Sequence, residues 1–170
     1  MRKYLVICIA SILLTAITGC GTDLPKFSDN ILFSINAGAS GFGTRAECTD
    51  AEIIVYTDRS VKIFMDDSDY STIVEIGSVT LSEDDYEQLA QLADKKTIYN
   101  LKVEEELDAT DGSSYHISLY DENDEVLVYK GGYMPKSKEF LELYKDIHEI
   151  FALYDIDQIV EAHREVLSKE

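Results

Sequence analysis

The chain has 170 residues, an apolar fraction of 45% and a formal net charge of -18. That length bounds it to about one folded domain, and the apolar content is too high for global disorder. A surface this acidic excludes nucleic-acid binding and repels anionic headgroups and acidic polymers; it suits a cationic protein or peptide partner, a metal ion or a neutral ligand, or serves only solubility.

Arg2 and Lys3 precede an uncharged, almost wholly apolar run from Tyr4 to Ile17. As a helix, roughly 14 residues span about 21 Å, short of the about 30 Å that a bilayer core requires. The run is therefore read as an export leader and not as a permanent span. It ends in Ile17-Thr18-Gly19-Cys20, an aliphatic residue and two small ones before a cysteine. This resembles the lipobox of bacterial lipoprotein precursors, with Thr18 a less usual small residue at its position. The resemblance covers the first 20 residues only. It implies a signal peptide over 1–19, cleavage between Gly19 and Cys20, and a diacylglyceryl group on the Cys20 thiol. The mature chain would then sit on the extracytoplasmic face of the cell membrane. Buried methylenes contribute about 0.8 kcal/mol each, enough for acyl chains to hold it there.

Residues 20–30, polar and interrupted by Pro25, form the expected lipidated tether, and 31–170 the single folded domain. Ile31 to Ile35 reads as a strand, followed by a glycine-rich segment from Gly38 to Arg45. Glu52 to Met65 reads as a hairpin around Asp58-Arg59-Ser60, and Thr72 to Thr80 as a further strand. A helix then opens with Ser82 as N-cap, acidic residues in its first turn, and Tyr86, Leu89, Ala90 and Ala93 along one face. A polar stretch from Lys102 to Ser113 follows. Tyr115 to Tyr120 and Val126 to Tyr129 form a second hairpin around Asp121 to Glu125, and Gly131, Gly132 and Pro135 punctuate the chain after it. A helix over about Lys136 to Leu153 presents Phe140, Leu141, Tyr144, Ile147 and Phe151. A last helix over about Ile156 to Ser168 has Asp155 as cap and Gln158 three residues on, a capping-box pattern.

These elements predict an α+β fold, an antiparallel sheet with helices packed on one face and helices at the C-terminus. Both hairpins precede a helix. Either a ββα unit is duplicated, or shared turn chemistry makes two unrelated segments look alike.

No constellation carries a chemistry. The glycine segment has Thr44 where a phosphate loop needs its lysine, and a strand follows where that loop needs a helix. Asp66-Asp67-Ser68-Asp69 and Asp121 to Glu125 lack the glycine and the spacing of a calcium loop. Acidic residues also favour turns because they bond their own backbone. His116, His148 and His163 show no metal spacing, so no metal or other cofactor is expected. Cys8 leaves with the leader and Cys20 carries the lipid, so Cys48 is the one remaining thiol. It reads as a small buried hydrophobe or as a nucleophile. Eleven tyrosines and no tryptophan direct attention to Tyr56, Tyr120, Tyr129 and Tyr133 in or beside the hairpins. Tyrosine offers contact area with a hydroxyl at low entropic cost, and it also fills half-exposed sheets for structural reasons.

The expectation is a non-catalytic binding module on the membrane surface with those four tyrosines as its interaction surface. The alternative is a hydrolase of envelope material using carboxylates or Cys48. The leader sets the first test. Chain extracted from membranes should begin at an acylated Cys20 by intact mass, and Cys20→Ser should shift it to the soluble fraction; a chain that retains Met1 would overturn the assignment.

Overall fold

The computed structural model describes residues 24–37, 49–67, 69–104 and 113–169. Cys20, Cys48 and the glycine segment lie outside these residues. Six strands form one antiparallel sheet: β1 (Ile31–Ala37), β2 (Ala51–Tyr56), β3 (Ser60–Asp66), β4 (Ile73–Thr80), β5 (Ser114–Tyr120) and β6 (Val126–Tyr133), in the order β4-β3-β2-β1-β5-β6. The helices are α1 (Glu83–Leu92), α2 (Lys95–Asn100), α3 (Lys138–Phe151) and α4 (Ile156–Leu167), with a 3-10 turn at Ala152–Tyr154. The expected α+β architecture is present.

Period-two alternation decides which face of the sheet is dry. Phe33 stands opposite Val55, Ile35 opposite Ile53 and Ile117, and Ile53 opposite Ile63. These side chains, with Val61, Met65 and Leu119, are fully buried and form one cluster with the helices. From the helices come Leu89, Ile98, Phe140, Ile147, Phe151, Ile156 and Val160. α4 lies closely over β4, where a Cβ on Gly77 would stand 2.8 Å from Ile159 Cγ2. The Arg164 guanidinium donates to the Thr49 carbonyl at 3.1 Å and ties α4 to the start of β2.

The caps follow the sequence in part. Ser82 accepts from the Asp85 amide at 3.1 Å, as its position at the start of α1 predicts. Asp155 does not cap α4 through its side chain, contrary to expectation. It holds a left-handed φ of 55°, its carbonyl accepts from the Gln158 and Ile159 amides, and its carboxylate accepts from the Gln158 side chain at 2.8 Å. On α3 the expected Leu141 is 39% exposed and Ile150 is buried instead. Both stand about a quarter turn from the centre of the apolar stripe, so neighbouring elements decide which is covered. The short α2 has no counterpart in the sequence reading; Asp94 caps it, accepting from the Thr97 amide at 2.8 Å.

One further feature differs from expectation. β6 continues past Tyr129, and the glycines expected to interrupt the chain lie inside the strand. Gly131 has φ 140°, and a Cβ there would meet the Tyr115 carbonyl oxygen at 1.9 Å. As the strand expected over Thr72 to Thr80 implies, β4 intervenes between β3 and α1, whereas β6 leads directly to α3.

The last residues of the expected tether are fixed to the domain. Phe27 bridges Asp121, the Ser28 amide donates to the Tyr120 carbonyl at 2.9 Å, and the Asn30 side chain donates to Asp124 at 3.0 Å. The Ser28 hydroxyl donates to the same carboxylate, and the Lys95 ammonium donates to the Ser28 carbonyl at 2.6 Å. Phe27 packs edge-on against Tyr99 at 6.1 Å.

The two close approaches differ in cost. Gly131→Ala should lower stability by about 3 kcal/mol or more, because the obstacle is backbone and the φ is unfavourable. Gly77→Ala should cost about 1 kcal/mol, because the tip of Ile159 can turn aside. Urea midpoints at constant slope measure both.

Candidate interaction surface

The face of the sheet opposite the core carries the other half of the alternation. Ser34 stands opposite Ile54 and Ser118 on neighbouring strands, and Glu52 stands opposite Phe64. The same parity puts Tyr56, Lys62, His116, Tyr120 and Tyr129 there. None of the apolar residues contributed by the helices reaches this face.

At its centre, a hydroxyl pair fixes a carboxylate. Ser34 lies in the middle strand and is buried, as is Tyr120 at 6% exposure. The Ser34 hydroxyl donates to Glu52 Oε1 at 3.1 Å, and the Tyr120 hydroxyl lies 3.0 Å from that oxygen and 2.8 Å from Ser34 Oγ. A buried hydroxyl left without a partner costs about 1–3 kcal/mol, so the three groups satisfy one another. Burial pushes the Tyr120 phenol up to about 12; the Ser34 hydroxyl opposes this, and the Glu52 carboxylate adds to it.

A groove of about 620 Å³ opens over this network and is lined from every strand. Ile73 of β4, Phe64 and Asp66 of β3, and Glu52 of β2 border one half. Asn36 of β1, Ser118 of β5, and Val126 and Tyr129 of β6 border the other. Its volume lies within the about 300–1,000 Å³ common for ligand clefts. No basic side chain of the described residues lines it. Lys62 is paired instead with Glu75 at 3.0 Å, and Arg164 with Glu161 at 2.7 Å.

The four candidate tyrosines have separate fates. Tyr129 is 57% exposed, borders the groove and stacks on His116 at 4.4 Å between ring centres. Tyr120 lies beneath the face and supports Glu52 instead of offering contact area. Tyr56 is half-buried, with the Lys62 ammonium 6.0 Å from its ring centre. Burial raises its phenol and Lys62 opposes the rise. Tyr133 stands opposite Ser114 at the far end of β6, away from the groove lining. No motif in the sequence marks Ser34, Glu52 or Phe64 as site residues, and alternation along β5 places Ser118 only on one face with His116 and Tyr120. Glu52 and Ser34 each stand between two buried apolar residues, Ala51 and Ile53 or Phe33 and Ile35, and that alternation is the signal for them.

The other candidates serve the fold itself. Asp121 accepts from the Asn123 and Glu125 amides at 2.8 and 3.0 Å, and Asp69 accepts from the Ser71 amide at 2.8 Å. His163 Nε2 is 2.8 Å from the Asp66 carbonyl. His148 stacks on Tyr144 at 4.6 Å, bordering a second hollow of about 410 Å³ on the helical side. Burial lowers the basicity of its imidazole, and Asp157, 3.8 Å away, opposes the shift.

The Tyr120 phenol links the network to pH. Its folded value lies above the ordinary value of 10.0, so its contribution is complete below pH 10 and is lost as pH rises through about 12. Tyr120→Phe should flatten the fall in urea midpoint across that window and cost about 1–2 kcal/mol at neutral pH; an unchanged alkaline slope would overturn the assignment.

No family model matches this sequence, and no curated protein aligns with it significantly.

Proposed function

We propose that the chain is a lipoprotein anchored through Cys20 at the extracytoplasmic face of the cell membrane, and that its domain is a non-catalytic binding module. The observation that carries the binding role is the groove that crosses all six strands on the face the helices leave uncovered. An uncovered antiparallel face in a small domain is ordinarily polar. This one is edged by Ile73, Val126 and Tyr129, all more than half exposed, around a fixed carboxylate. Apolar edges around oriented polar groups are the composition of a recognition surface. The lipid anchor is supported by the leader and by the four residues that end it.

Photocrosslinking in cells tests the binding role. A photoreactive residue at position 129 should form a discrete adduct, and one at position 149, exposed on α3, should not. Equal adducts from both positions, or none from either, would count against a dedicated open face.

A further inference from the structure

The open-face groove has a length and a chemistry that select its occupant. Resting on the binding role just given, we propose that the groove takes an extended, basic polypeptide segment. A lysine or arginine head lies between Glu52 and Asp66, and the aliphatic stem runs over Phe64.

Length is the first argument. The lining runs from Ile73 on one edge strand to Val126 and Tyr129 on the other. Six strands at about 4.8 Å spacing make an arc of about 24 Å, the reach of about seven extended residues. A free amine or a metal ion would cover one or two strands and leave both apolar edges in water. A polypeptide covers the whole arc.

Charge is the second. Glu52 stands beside Phe64 across the ladder, and Asp66 follows two residues along β3 on the same face. No cation pairs with either carboxylate among the described residues. Covering Glu52 with a neutral or acidic segment would strip its solvation without replacement, which costs several kcal/mol for a charge. A basic head replaces the lost water with a charge-assisted hydrogen bond. The Ser34 and Tyr120 hydroxyls hold one oxygen of Glu52, so the carboxylate is oriented before anything binds.

The test uses the full-length chain in detergent and a fluorescein-labelled seven-residue peptide alternating serine and lysine, with its serine–glutamate counterpart as control. Fluorescence anisotropy should show binding of the lysine peptide only. Glu52→Gln with Asp66→Asn should weaken it about tenfold. Glu139→Gln with Glu165→Gln, the same charge change on the helical surface, should alter it less than about twofold. Equal loss in the two double variants would mean general attraction to an acidic protein and would overturn the proposal. Displacement by spermidine at comparable affinity would make the ligand a free polyamine and overturn it as well. Binding that appears only in Arg45→Ala would make the chain's own arginine the occupant, and the proposal would fall on that result too. If neither peptide binds while position 129 still crosslinks, the basic ligand is wrong and the interaction face stands. If the crosslink is absent too, both fall.

Discussion

The middle strand β1 must satisfy opposite demands on its two sides. Toward the helices it presents Phe33 and Ile35, which are wholly buried and packed against residues from both neighbouring strands. Toward the open face it presents Ser34, buried as well, whose hydroxyl needs a partner. Because β1 joins the β2-β3-β4 meander to the β5-β6 hairpin, that partner must come from one half or the other. It comes from both: Glu52 from the first and Tyr120 from the second. One hydrogen-bonded cluster therefore registers the two halves of the sheet on the face where no apolar core does so.

If the groove binds as proposed, this arrangement links stability to recognition. A carboxylate gripped by two hydroxyls loses rotamer freedom on folding, not on binding, so a partner meets a group already aimed. The acidic character of the chain as a whole draws cations to every surface, and net charge alone confers no selectivity. Selectivity needs a place where a charge is held in fixed geometry beside apolar contacts. The groove joins Glu52, Phe64 and the exposed edges in one concavity. Several other described carboxylates, Asp69, Asp94 and Asp121 among them, are engaged in turns and caps instead.

The strands and the long helices were legible because their signals are local. Ile53, Val55, Val61 and Ile63 alternate strictly, and Phe140, Tyr144, Ile147 and Phe151 recur at helical spacing. The short helix over Lys95–Asn100 was not legible, since six residues bury only Ile98 and show no periodic face. β6 looked shorter than it is because glycine is ambiguous. The residue that usually ends a strand is here required inside one by the Tyr115 backbone. The site was the least legible part. Tyrosine count drew attention to residues of the open sheet face but could not tell exposed Tyr129 from buried Tyr120. That distinction depends on pairing between strands far apart in sequence, as does the meeting of Ser34 with Glu52 and Tyr120.

The clasp formed by Phe27 to Asn30 has a mechanical meaning. Tension applied to the N-terminal end of the chain meets the Phe27–Asp121 bridge, the Ser28–Asp124 bond and the Lys95 contact before it reaches Ile31. The load is diverted sideways into the turn between β5 and β6, much as a clamp takes the strain off a soldered joint. The strand that carries Ser34 is thereby insulated from pulling, so the anchor proposed at Cys20 would leave the groove its shape under load.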